Sequence, residues 1–169
     1  MPYDNPNESF YWVDEQDKVL GAINRIDAHS DPTKIHRSVN ILVTNNQNQM
    51  LFQKRSQNKD LFGGYWSLAC GGHVTYGEDY HQAAEREVYE ELGIHPHLFY
   101  VTKTLDKTDQ EQEQCQIYLC RIDVTPEHYD KSEVAELKWV PIEDIQLFAG
   151  QNQLTPATIQ VLKLLLYIH

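Results

Sequence analysis

GHVTYGEDYHQAAEREVYEELGI, residues 72–94, decides how this chain is read. Gly71 and Gly72 lead into a loop that reaches Glu78. From there the sequence takes helical spacing until Gly93, a residue suited to the left-handed position that ends a helix. Ala83, Ala84, Val88 and Leu92 recur on one face and give a stripe for burial. Glu87, Glu90 and Glu91 share another face, because residues three and four apart on a helix are neighbours. Like charges placed so cost roughly 0.2–0.5 kcal/mol per pair. A merely solvated face would intersperse lysines, yet the stretch has none, and Arg86 is its one formal cation. The cluster asks for a further cation, and hard carboxylate oxygens with room for water suit Mg2+ or Mn2+.

The order of these residues is more specific than their charge. It resembles the Nudix box, G-x5-E-x7-R-E-U-x-E-E-x-G-U with U aliphatic. Gly72, Glu78, Arg86, Glu87, Val88, Glu90, Glu91, Gly93 and Ile94 fill every defined position. The resemblance implies an α+β Nudix fold, an α/β/α sandwich in which a mixed sheet is flanked by helices, one of them the box helix. It implies metal ligation by Glu87, Glu90 and Glu91, joined by the Gly72 carbonyl, and a general base in Glu87 or Glu91. Arg86 is implied as the structural arginine that orients a box glutamate, Glu78 as a brace for the loop, and Gly93 as the helix terminus. A small-molecule diphosphate is the implied substrate.

The 169 residues suit one domain, 1–169, with a polar lead-in at 1–9. A hydrophobic share of 41% and a charged share of 23% are those of an ordinary globular protein. The net charge of −11 argues against nucleic acid or an anionic membrane surface as partner. MPYDNPNESF lacks the apolar core of a secretory signal, and IQVLKLLLYIH is too short to span a bilayer. Cys70, Cys115 and Cys120 are odd in number and lack C-x2-C spacing, so a reduced, cytoplasmic setting is expected. The oligomeric state is open, a homodimer being one option.

In chain order, 10–14 and 19–23 read as short strands, 25–36 as a loop or short helix, and 38–45 with 49–55 as a hairpin around Asn46-Gln47-Asn48. YWSLAC (65–70) reads as one strand leading to the glycine pair. Residues 98–105, 116–124 and 134–140 read as further strands, with the polar stretch 106–114 as a loop. PIEDI opens a short helix, and Pro156 begins a last one.

From about Val13 to Leu162 the chain also resembles the Nudix branch of type I isopentenyl-diphosphate isomerases and their hydrolase relatives, through VDEQDKVLG, Ala28-His29, Ile35-His36-Arg37 and GYWSLACGGHV. That branch implies a second divalent-ion site, Mn2+ or Zn2+, at His29, His36, His73, Glu111 and Glu113. It also implies diphosphate contacts at Arg55 and Lys59, with Arg25 as a third. Three departures weigh against the isomerase. Its catalytic cysteine stands two residues before the metal histidine, where this chain has Gly71. Cys70 is one residue early, on the opposite face of an extended strand. The isomerase's cation-facing tryptophan follows Ser/Thr-Pro, where Thr155-Pro156 is followed by Ala157. The box itself is complete. The reading is thus a metal-dependent hydrolase that cleaves a diphosphate linkage in a nucleoside-diphosphate-X type molecule. Isopentenyl-diphosphate isomerase is the alternative, and a non-catalytic nucleotide-binding module is a third.

Overall fold

The computed structural model describes residues 7–59, 61–108 and 111–169. Its strands are β1 (Ser9–Val13), β2 (Val19–Asn24), β3 (Ile35–Thr44), β4 (Gln49–Arg55), β5 (Trp66–Leu68), β6 (Cys70–His73), β7 (Phe99–Lys107), β8 (Gln112–Arg121) and β9 (Val134–Pro141). The α-helices are α1 (Arg25–Ser30), α2 (Tyr80–Leu92), α3 (Ile145–Gln151) and α4 (Pro156–Leu164). All nine strands join one mixed sheet, in which β8 runs parallel to β3 and the other pairings are antiparallel.

β3 is buried on both faces, as a strand covered by helices on two sides must be. Its odd residues Val39, Ile41 and Val43 pack with Ala83, Ala84, Val88 and Leu92 of α2. Leu42 packs instead with Met50, Phe52, Ile145, Phe148, Val161 and Leu162 on the side of α3 and α4. The result is the expected α/β/α sandwich. Each fully buried Val or Leu contributes roughly 1.5–3 kcal/mol, and the two alanines let α2 lie close to the sheet.

α2 is closed at both ends. The Asp79 carboxylate accepts from the Gln82 amide while the Gln82 side chain accepts from the Asp79 amide, a reciprocal capping box. Gly93 sits at φ +69°, its N–H donating to the Tyr89 carbonyl at 2.8 Å, and a Cβ there would lie 2.6 Å from the His128 carbonyl oxygen.

The feature that positions the site is a split in the sheet. The hairpin strands β3 and β4 pair at Val43–Leu51 and Thr44–Met50 and then part. β6 continues the sheet on β3 and β5 on β4. What reads as one strand, YWSLAC, is therefore two, bonded to opposite sides of the split. Two other expectations are corrected. β3 starts at Ile35, so Ile35 and His36 are strand residues instead of loop or short helix, because pairing with β8 runs from Ile35–Gln112 to Thr44–Arg121. The polar stretch 106–114 is mostly strand: Asp106 pairs with Glu113 and Lys107 with Gln112. Its polarity faces a cavity, which periodicity cannot distinguish from solvent. Asp109 and Gln110, and residues 1–6 of the lead-in, lie outside the described residues. Glu8 is bonded to Arg25 and Thr75, and Ser9 opens β1.

Candidate metal-dependent active site

Alternation along β6 divides the site in two. Gly71 pairs with Asn40 and His73 with Ser38; all four line one cavity beside the split. Gly72 and Cys70 pair with Val39 and Ile41, which face α2. A Cβ on Gly72 would lie 2.3 Å from Glu87 Oε1, so glycine is what lets the box carboxylate come against the strand. The Cys70 thiol is buried among the α2 core residues, and burial followed by Glu91 pushes its pKa well up. It is an inert core thiol by environment.

On the α2 side Arg86 gathers the box. Its guanidinium donates to Glu78 at 2.7 Å and 3.2 Å, to Glu87 at 2.6 Å, to Glu90 at 3.0 Å and to the His73 carbonyl at 2.9 Å. Glu78 also accepts the Thr75 amide at 2.7 Å, which fixes the loop ahead of the helix. Burial pushes Glu87 up to about 7 against the pull of Arg86. Glu91 is pushed well up by burial and then by Glu87. Burial raises both carboxyls and Glu87 raises Glu91 further, which fits a cation between them and the cavity. Glu90 stands apart: its side chain is 56% exposed and turned to Arg86. Gln53 crosses the split, lining the cavity and donating to Glu91 at 3.0 Å.

On the cavity side α1, β3, β6 and the residue just before β8 bring His29, His36, His73 and Glu111 together, with one potential ligand atom of each within 4.8 Å of the others. His29 Nε2 lies 3.3 Å from His73 Nε2, and Glu113 Oε1 lies 3.6 Å from the Nε2 atoms of both His36 and His73. Phe10 stacks on His73 and His36, with centroid separations of 4.3 Å and 5.5 Å. Burial holds His36 down at about 4 and His73 well below the usual range, so both imidazoles are neutral, as a metal ligand must be. His36 Nε2 is buried and has no hydrogen-bond partner among the described residues, an atom that a metal would satisfy. Imidazole with carboxylate suits Mn2+ or Zn2+.

Arg25 and Arg55 line the same cavity. Both pull Glu111 back down against burial, which places two guanidinium charges beside the cluster. Lys59 is not a lining residue; it holds Glu133 at 2.5 Å. The sequence reading missed Phe10, Gln53, Asp106 and Gln160. Once β7 is recognised, the period of two that puts Thr104 and Asp106 on one face would have found Asp106. Trp66 is core, edge-on to Phe148.

A family model described as NUDIX domain matches residues 34–161. The chain belongs to the Nudix superfamily. Over 153 residues it is 32% identical to isopentenyl-diphosphate Delta-isomerase 1 of Photorhabdus laumondii, covering 86% of each chain. Over 87 residues it is 42% identical to an uncharacterized Nudix hydrolase of Pseudomonas aeruginosa, covering 52% of this chain and 51% of that one. These place it in the isomerase-like branch of the Nudix enzymes. Among solved structures, DR0079 of Deinococcus radiodurans superimposes with a TM-score of 0.78 at 25% identity, covering 92% of this chain and 98% of that one. A MutT protein of Methanosarcina mazei gives 0.64 at 25% identity, over 75% and 88%. Both share this Nudix architecture. No helix among the described residues is long and apolar enough to cross a membrane.

Proposed function

We propose that this Nudix chain is a metal-dependent hydrolase that cleaves a diphosphate linkage in a nucleoside-diphosphate-X type small molecule. The observation that carries the reading is the buried pair Glu87 and Glu91 at the split, beside a cavity with no thiol at position 71 and no indole at position 157. Mg2+ or Mn2+ held by Glu87 and Glu91, with Glu90 and the Gly72 carbonyl as further oxygens, would neutralise the diphosphate and lower the pKa of a water. Glu87 or Glu91 takes the proton of the attacking water as general base. The water oxygen bonds to phosphorus as the bridging P–O bond breaks, leaving X-phosphate and phosphate or a second phosphorylated fragment. Arg55 and Arg25 bind phosphate oxygens as planar forks, and Lys59 contributes a more distant positive charge. Arg86 orients Glu87, and Glu78 orients Arg86.

Isomerisation of isopentenyl diphosphate is the second reading, favoured by one observation: the gathering of His29, His36, His73, Glu111 and Glu113 around a candidate second metal site. At the position of that reaction's catalytic cysteine stands Gly71, and the neighbouring Cys70 thiol is packed in the core under α2 at the cavity's edge. Phosphorus NMR with Mg2+ or Mn2+ on a panel of nucleoside diphosphates, triphosphates and sugar nucleotides tests the hydrolase. New monophosphate, abolished in Glu91→Gln, is expected. Binding without turnover across the whole panel would instead identify a nucleotide-binding module.

A further inference from the structure

The polar lead-in enters the site at Glu8, one residue before β1. Its carboxylate joins two parts of the site. Oε2 accepts from Arg25 Nη1 at 3.2 Å, and Oε1 accepts from the Thr75 hydroxyl at 3.2 Å. The Glu8 carbonyl oxygen also accepts the Arg25 amide at 2.8 Å, so one residue holds both the backbone and the side chain of Arg25. Arg25 opens α1 and lines the cavity. Thr75 belongs to the loop between β6 and α2, where its amide donates to Glu78. The ion-paired side chains are mostly buried, 17% exposed for Arg25 and 23% for Glu8. The guanidinium also lies over the Phe10 ring, 5.9 Å from its centroid, and that ring stacks on His73.

An unrestrained arginine samples many rotamers, and a fork fixed in advance loses less freedom when it takes up an anion. A guanidinium has five N–H donors and can serve a carboxylate and a phosphate together. We infer that Glu8 is a positioning residue, which holds the Arg25 fork at the cavity and ties it to the Nudix-box loop before a phosphate oxygen arrives. The inference rests on the reading of Arg25 as a phosphate contact and not on which reaction follows. Its sign separates it from plain electrostatics. By charge alone Glu8 repels a bound anion, so its removal would tighten diphosphate binding. By positioning, its removal weakens binding, because Arg25 loses its orientation. Glutamine distinguishes the two: its carbonyl oxygen can accept from Arg25 while its amide donates to the Thr75 hydroxyl, with the charge gone.

Calorimetric titration of the intact protein with methylenediphosphonate, a non-cleavable diphosphate, in excess Mg2+ tests this without turnover. Thermal midpoints measured alongside show that each variant is folded at the titration temperature. Glu8→Ala is expected to weaken binding about 10-fold, while Glu8→Gln stays within about twofold of the unaltered protein. Glu8→Ala added to Arg25→Ala should change binding by less than about twofold, because the side chain it positions is gone. Four results would overturn the inference: tighter or unchanged binding in Glu8→Ala, a loss in Glu8→Gln as large as in Glu8→Ala, losses that multiply in the double variant, or no loss in Arg25→Ala. Absence of turnover with this Glu8 dependence intact would support the inference and count against the hydrolase reading alone.

Discussion

At the residue scale the site is built from groups held away from their ordinary protonation. Burial raises the Asp106 carboxyl. The folded state therefore binds its proton more tightly than the unfolded chain, and stability is lost as pH rises above the ordinary carboxylate range. Asp106→Asn is expected to raise the urea midpoint at pH 7, a gain that should vanish by about pH 2, where the carboxyl is protonated in both states. His36 has the opposite sign. Its folded value of about 4 lies below the ordinary 6.5, so the unfolded imidazole takes the proton first and stability falls as pH drops from 6.5 toward 4. In metal-free protein His36→Gln should flatten that limb, which is worth on the order of 3 kcal/mol. Chelation and acid titration followed by circular dichroism would show it. Arg86 joins three carboxylates and a carbonyl, a geometry that lysine cannot reproduce. Arg86→Lys should cost at least ~10-fold in kcat/KM as well as stability.

Among the elements, α2 was the most legible, because its signals agree: apolar stripe, terminating glycine and spaced carboxylates coincide in one stretch. Its N-terminal capping box adds a fourth local signal. Gly93→Ala must take a left-handed φ and meet the His128 oxygen, so a loss of about 1–3 kcal/mol is expected in thermal unfolding. Leu92→Ala, at 0% exposure under the sheet, should cost about 2–5 kcal/mol. The ends of β3, β7 and β8 were poorly legible for a physical reason. Polar side chains are buried there because Asp106 and Glu113 face a cavity and His36 faces Glu113, and sequence polarity reads the same for a cavity wall and a loop. Likewise the two-strand nature of YWSLAC depends on its separate partners, β4 and β3, which no local pattern encodes.

For the whole molecule, the split sheet is what turns a helix-borne motif and a distant set of histidines into one site. α2 supplies carboxylates from behind, α1, β3, β6 and β8 supply imidazoles and carboxylates in front, and Gln53 spans the opening. The spacing of His29, His36, His73, Glu111 and Glu113 was visible in the sequence, but their convergence rests on the parallel β3–β8 pairing and appears only in three dimensions. Both sets of motif residues thus lie in one chain, with Gly71 and Ala157 where the isomerase reading needs a thiol and an indole. The most direct test follows proton and phosphorus spectra of isopentenyl diphosphate with the purified protein, Mg2+ and Mn2+ in D₂O, beside the best nucleoside-diphosphate-X substrate. A hydrolase releases monophosphate from the latter in a Glu91-dependent manner and leaves the alkene undeuterated. Deuterium entering intact isopentenyl diphosphate, with the double bond moved, would contradict it.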